Sequence, residues 1–470
     1  MNSILTFLCL ILCAFVVLAV PPLVVPYAAD YGVVTVFDTS KAILLCAALA
    51  TLAGIFSYRQ QDNGPFLLKI FVSALLIRML VGTLIFVFNG QGFFGGDANT
   101  YDFYGFAVLR GWGGDKYYRS VANSYVAQGL TPGWGMVYLV AAVYGLVGRN
   151  LLALQLINSV MGAATAVIIF LCAHHVFNNL RVARLAAIAA AFYPSLVLWS
   201  SQGLKDGPIV FFLALSILAT LKLGEKLSFK YLTILVCSLF SLLSLRFYIF
   251  YMISVAIGGA FIIGMQRVSA KSFVRQFIVI IVIGLALTYL GIARYANLQF
   301  ESFGSLEAVQ RSRLDASKSA QSGFGRDVDV STTSGALSTI PMGLLYLLFA
   351  PFPWQLATLR QSITLPEMIV WWASFPMLIL GLWFSIKHRL RQISPILIFT
   401  VMLSLAYSVF QGNVGNAYRQ RSQLLVFYFI FVAVGYVLLL EKREEKRRQE
   451  FVAKQLASQG RVIGSSSSNI

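Results

Sequence analysis

The sequence predicts an all-α polytopic membrane protein, and three observations carry that prediction. Its 470 residues are 58% hydrophobic and only 11% charged, with a mean hydropathy of +0.78, whereas soluble domains carry about 25% charged residues. Many of its apolar runs approach the ~20 residues that cross a bilayer as a helix. The runs are also continuous, whereas a spanning barrel shows ~10-residue alternating segments. Collagen-like, disordered and disulfide-scaffold classes fail on the same composition.

Apolar runs at 3–20, 41–57, 66–88, 152–172, 185–200, 208–223, 231–245, 247–265, 277–296, 367–386, 393–410 and 423–440 predict about 12 transmembrane helices. The first 29 residues hold no Lys or Arg. They lack the basic start of a cleaved signal peptide and read as a retained first span. Lys and Arg mark short loops as cytoplasmic, which places YRQQ (58–61), HHVFNNLRVAR (174–184), GEKLSFK (224–230), QRVSAKSFVRQ (266–276), KHRLRQ (387–392) and the charged C-terminus on the inner side.

That parity closes only if two further apolar runs, 133–148 and 339–356, do not cross. The first follows Thr131-Pro132-Gly133 and the second contains Pro351 and Pro353. Proline removes backbone donors and breaks helices, so both read as juxtamembrane or re-entrant segments packed against protein. The expected organisation is a single transmembrane domain over 1–440, with long outer loops at 89–131 and 297–338, then a basic, disordered cytoplasmic tail over 441–470. No internal repeat is visible.

Cys9, Cys13, Cys46, Cys172 and Cys237 all sit inside apolar runs, and no CxxC occurs; they read as buried, inert thiols rather than metal ligands or disulfides. The net charge of +18 is spread over short loops flanking the spans. It therefore reports topology rather than a nucleic-acid partner.

Chemistry-bearing residues gather in the outward segments. In the first loop, NGQGFFGGDANTYDFYGFAVLRGWGGDKYYRS, Asp97 follows two glycines, which let backbone approach a substrate closely. Asp102 follows five residues later, and Tyr101, Tyr104, Trp112, Tyr117 and Tyr118 surround the pair. Carboxylates with aromatic faces suit a sugar, and an outer carboxylate suits a general base; helix capping and an interfacial aromatic belt are the plain alternative. A second segment, FYPSLVLWSSQGLKDG (192–207), sets Lys205 beside Asp206 at the end of a span, where charge is costly and functional by default or caps the next helix. Arg246 stands at a tight turn between spans, and Arg419 and Arg421 lie in QGNVGNAYRQRSQ. Guanidinium forks grip phosphate or snorkel to lipid head groups. Arg78 lies mid-span and reads as structural. The loop 297–338 mixes Glu301, Arg311, Arg313, Asp315, Arg326, Asp327 and Asp329 with many Ser and Thr, a composition for either a solvated loop or one that closes over substrate.

This layout resembles the GT-C-type integral membrane glycosyltransferases, especially the protein O-mannosyltransferase and aminoarabinose-transferase-like branch. Residues 66–224 carry the resemblance: a span leading into an acidic, aromatic outer loop, the Pro-led segment TPGWGMVYLVAAVYGLVGRN, and two spans ending in Pro-Ser and an outward acid, FYPSLVLWSSQGLKDG. It implies Asp97 as base and Asp206 as a second acid that orients the acceptor or binds metal. The sequence departs from the family in having Gly-Gly-Asp, with Asp102 five positions on, in place of adjacent acids.

The expected function is transfer of a sugar from a polyprenyl-phosphate-linked donor to a glycan, lipid or protein acceptor on the extracytoplasmic face of a bacterial inner membrane. Catalysis falls to Asp97, Asp102 and Asp206, donor-phosphate binding to Lys205, Arg246, Arg419 and Arg421, and sugar or acceptor contact to Tyr101 and Tyr104. A divalent metal ion on Asp97 and Asp206 is the alternative source of positive charge. The nearest rival is a polysaccharide polymerase or ligase using lipid-linked glycans. His174, His175 and His388 all fall on the inner side, which counts against the ligase. A secondary transporter fits less well, since its binding residues would lie near mid-membrane.

Overall fold

The computed structural model describes residues 36–60, 63–88, 90–93, 96–126, 133–263, 270–289, 299, 304–318, 322–325, 327–356 and 359–466. The expected first span 3–20 with Cys9 and Cys13, together with Thr131, Pro132, Glu301 and Arg326, lies outside the described residues. Helices form every extended element described: α1 Val36–Tyr58, α2 Gly64–Val87, α3 Asp97–Trp112, α4 Lys116–Val126, α5 Trp134–Val147, α6 Leu151–Phe177, α7 Leu180–Phe192 and α8 Pro194–Ser200. They continue as α9 Asp206–Glu225, α10 Phe229–Leu245, α11 Phe247–Ile263, α12 Ala270–Tyr289, α13 Leu306–Lys318, α14 Thr333–Phe349, α15 Leu359–Phe410 and α16 Val414–Ser466.

The chain is an integral membrane protein. Among the described residues six helices are long and apolar enough to cross a membrane, or seven if α7 and α8 form one span bent by 55°. That is fewer than the twelve expected. The expected runs at 231–245 and 247–265 become α10 and α11, of 17 residues each, about 26 Å long at 1.5 Å per residue. α15 is two helices joined at a kink at Arg389 (φ −135°, ψ 18°), which lies between the expected runs 367–386 and 393–410. α5 has 14 residues, about 21 Å, and falls short of the ~30 Å hydrocarbon core.

α6 is the centre of the bundle. Its sequence is apolar on all faces, as a helix enclosed by others must be, and it packs against α1, α2, α7 and α9. Asn150 starts it by accepting the Leu152 N–H, Asn178 ends it at φ 50°, and Asn179 caps α7 by accepting from Arg181 and Val182 N–H. One αL residue followed directly by the Asn179 side-chain cap turns the chain back within two positions. α16 lies across the bundle against α15, α7 and α9. It can approach closely because a Cβ on Gly435 would overlap the Met377 carbonyl oxygen, and one on Gly381 would overlap that of Phe431.

Several expectations change. The first outer loop folds as α3 and α4, and the second contains α13, because both hold amphipathic rather than loop-forming sequence. α14 begins at Thr333, whose predecessor Thr332 caps it by accepting the Gly335 N–H, so that segment starts earlier than the apolar run. The tail is helical to Ser466 rather than disordered: Glu, Lys, Arg, Gln and Ala are strong helix formers, and extending an existing helix needs no new nucleus. Cys46 and Cys172 are buried, but Cys237 is exposed on the bundle surface.

The α15–α16 contact gives a stability prediction. Gly435→Ala forces the two backbones apart and costs about 1–3 kcal/mol, seen as a lower Tm of the purified protein in detergent.

Candidate active site

The site is built around a break in the chain between α7 and α9. Pro194 has no N–H to offer the carbonyl of Ala190, so the helix ends at Tyr193 and restarts at an angle. Arg78, fully buried on α2, fills the break: Nη1 donates to the Ala191 carbonyl at 2.7 Å, Nη2 to Ala190 at 3.3 Å, and Nε to Ser200 Oγ at 2.8 Å. The structural role expected of Arg78 is what these bonds describe. Beyond α8, Asn158 Nδ2 donates to the carbonyls of Gln202 at 2.6 Å and Leu204 at 2.8 Å. This buried clasp holds the turn that delivers Lys205 and Asp206.

Asp206 is the first residue of α9, where the helix N-terminus favours a carboxylate, and it is wholly buried. Two guanidinium groups meet it. Arg419, from the start of α16, donates through Nε to Asp206 Oδ2 at 2.7 Å, and Arg246 Nη2 lies 3.4 Å from Oδ1. Arg419 Nη1 reaches on to Asp97 Oδ2 at 2.6 Å. One guanidinium therefore ties together two carboxylates separated by more than a hundred residues. The two acids differ in access: Asp97 keeps 46% of its side chain exposed and Asp206 none.

Asp97 opens α3 directly after Gly96, whose φ of +74° is left-handed; glycine takes that conformation without penalty. Gly133, at φ +93°, starts α5, and a Cβ there would lie 2.8 Å from Lys205 Nζ. The Pro-led segment thus gives room to the lysine. Burial pulls Lys205 down to about 7, against the opposing pull of Asp206. Its Nζ also lies 5.9 Å from the Tyr101 ring centroid, within cation–π range. Burial and the nearby Asp97 and Asp206 charges push the Tyr101 phenol up, so its hydroxyl stays protonated. Burial works against the charge on Arg246, yet Tyr248 and Asp206 raise it above the ordinary arginine value. Arg246 Nη1 is buried and donates to no described residue.

Of the expected site residues, Asp97, Asp206, Lys205, Arg246, Arg419 and Tyr101 come together. Tyr104 stacks on Tyr125 with ring centroids 4.0 Å apart, joining α3 to α4 beside the cluster. Asp102 and Arg421 are placed elsewhere. Asp102, on the other side of α3, accepts from the Tyr144 hydroxyl and from Nε and Nη2 of Arg149, a contact that pins α3 against α5 and its C-terminal turn. Arg421, two residues from Arg419 and therefore on another helix face, is buried and donates to the carbonyls of Leu348 and Ala350 at 3.1 and 3.0 Å. It closes the end of α14.

Sequence reasoning missed Trp199, whose ring lies 5.7 Å from the Arg419 guanidinium carbon, as well as Asn158 and Tyr125. Trp199 stood inside the quoted motif, but nothing in the sequence showed which face it would take. Among the described residues no group of three or more His, Cys, Asp and Glu side chains gathers as a metal site requires. Between Asp97 and Asp206 the positive charge is the Arg419 guanidinium.

With this geometry in place, comparison with known proteins gives the class. The profile of the family described as dolichyl-phosphate-mannose-protein mannosyltransferase matches residues 133–291, a stretch that contains Lys205, Asp206 and Arg246 and leaves Asp97 and Arg419 outside. The match covers about a third of the chain and is to a family of glycosyltransferases. Among solved structures it is similar to the archaeal oligosaccharyltransferase AglB from Archaeoglobus fulgidus, in complex with an inhibitory peptide and a dolichol-phosphate. The identity is 15% and the TM-score 0.38, over 68% of this chain and 44% of that one, so the chain spans less than half the length of that enzyme. No curated protein matches.

The placement of Asp102 yields a prediction. Asp102→Ala leaves a buried Tyr144 hydroxyl and the Arg149 guanidinium without their acceptor, at a cost of about 1–3 kcal/mol. The variant should melt at lower temperature and keep wild-type activity per folded molecule, read by thermal melting alongside a transfer assay.

Proposed function

We propose that the enzyme transfers a sugar from a polyprenyl-phosphate donor to an acceptor hydroxyl, with Asp97 as the general base. The observation that carries this reading is Arg419 bridging an exposed carboxylate to a buried one, with Lys205 and Arg246 beside it. A substrate can reach Asp97 but not Asp206. The exposed acid takes the proton, and the buried acid anchors the arginines.

The steps follow from those positions. The acceptor oxygen forms a bond to the anomeric carbon as Asp97 takes its proton. The bond from that carbon to the phosphate oxygen breaks, and the lipid phosphate leaves with the electron pair. Preorganised cations at the leaving oxygen lower the barrier, and Lys205, Arg246 and Arg419 supply them. Arg246 Nη1, buried and donating to no described residue, is a ready donor for a phosphate oxygen. A phosphate that draws on Arg419 also loosens its hold on Asp97 and so readies the base. Tyr101 and Tyr104 line the sugar side. The matched family's name, which specifies a dolichyl-phosphate-linked sugar, supports a lipid-phosphate donor. A divalent ion on Asp97 and Asp206 would have to displace Arg419 from both.

The same reading extends to topology. Twelve crossings, with α5 and α14 not crossing, put both termini in the cytoplasm and the Asp97 cluster on the extracytoplasmic face of a bacterial inner membrane. The positive loops support that orientation.

Two experiments test the mechanism. Asp97→Asn keeps an acceptor for Arg419 but cannot take a proton. It should lose activity by at least 10²-fold with an unchanged Tm, and full transfer activity in this variant would refute the assignment. The second concerns pH. Lys205 is held near 7 against an ordinary 10.5, so kcat/KM, which reports the free enzyme, should fall as pH rises through about 7. Lys205→Arg, which stays charged, should remove that fall. Because the unfolded chain holds this proton up to 10.5 and the folded one releases it near 7, stability from this group rises with pH across that window.

A further inference from the structure

α9 starts at the Asp97–Asp206 cluster and runs for 20 residues to Glu225, about 30 Å at 1.5 Å per residue. At that far end lies a cavity of about 870 Å³, inside the ~300–1,000 Å³ range of small-molecule sites. α6 and α9 form its floor, and the ends of α1 and α10 form its sides.

The cavity exists because α1 and α10 are spaced apart and only one end of the gap is filled. At the cluster end α5 fits between them: a Cβ on Gly148 would meet Asp38 of α1, and one on Gly135 would overlap Ser244 of α10. α5 is too short to reach further. The other end is left open among the described residues.

Its lining is divided in character. Arg59, Lys222 and Lys230 with the imidazoles of His174 and His175 stand at the outer part, against one carboxylate, Glu225, which sits 3.5 Å from His175 and 3.9 Å from Lys222. Among the described lining residues three cations face one acid, a net positive mouth. Towards the bundle centre the walls are Phe56, Leu171, Leu215 and Ile234. A cationic rim over an apolar slot, at a helix end one bilayer thickness from the catalytic cluster, complements an anionic head group with its chain.

We propose that this cavity binds the phosphate head group of an anionic phospholipid from the leaflet opposite the active site. Lys222 and Lys230 hold the phosphate from two different helices, Arg59 closes over it from a third, and the first part of an acyl chain lies along Phe56 and Ile234. The site is separate from the donor site, and its occupation ties the end of α1 to the start of α10 across the gap that the described residues leave open.

The test measures the Tm of the full chain in neutral detergent with added phosphatidylglycerol, phosphatidylcholine or inorganic phosphate. Phosphatidylglycerol should give a saturable rise, since a ligand of the folded state stabilises it, and phosphatidylcholine should not. Lys222→Gln with Lys230→Gln should weaken the apparent affinity about tenfold or more, while Lys442→Gln with Lys446→Gln, on the exposed end of α16, should leave it unchanged. Arg59→Gln replaces the double variant if that protein fails to fold. A saturable, Lys222-dependent rise with inorganic phosphate alone supports the phosphate site and assigns it a soluble source. An equal rise with both lipids, or one that the Lys222 and Lys230 changes leave intact, overturns the proposal.

Discussion

A carboxylate with no exposed surface, at the edge of a bilayer, is tolerable only if its charge is matched, and Asp206 is matched by Arg419 and Arg246. Isolated, such a group would cost several kcal/mol in desolvation. The rest of the architecture follows from the need to pair it. α9 must begin there, α16 must cross the bundle to deliver Arg419, and the corner between α10 and α11 must point Arg246 inward. Each helix comes from a different part of the chain, so the pairing also closes the fold around the acidic pair.

The same constraint accounts for the irregular backbone. The Pro194 break leaves carbonyls that no helical N–H can satisfy, in a place where water is scarce. Arg78 and Asn158 supply the missing donors. These polar side chains inside apolar helices satisfy backbone. They make it possible for a short α8 and an extended turn to exist at membrane depth, and hence for Lys205 and Asp206 to sit beside Asp97.

Much of this was legible from the residues. Asp97 drew attention as an acid among aromatics, Lys205 and Asp206 as charge near hydrocarbon, and Arg246 and Arg419 as outward guanidinium groups, and the structure brings them together. Asp102 and Arg421 drew attention by the same logic, yet they serve packing. The signal of a costly charge is the same whether its partner is a substrate phosphate or another helix. Asp102 finds Arg149 and Tyr144, and Arg421 finds the last carbonyls of α14. Neither partner could be identified by spacing, because each pairing spans more than forty residues.

The sequence by itself determined the class: helices, a membrane, short loops rich in Lys and Arg, and acids collected in other segments. Those features depend on local hydropathy and charge, which act over a single span. Only the tertiary structure decided that Arg419 and not Arg421 meets the acids, that Asp97 is reachable while Asp206 is sealed, and that the Pro-led α5 makes room for Lys205. It also decided that the loops are helices and the tail a continuation of α16. The physical reason is common to all of them: which face of a helix meets which neighbour depends on packing between distant segments.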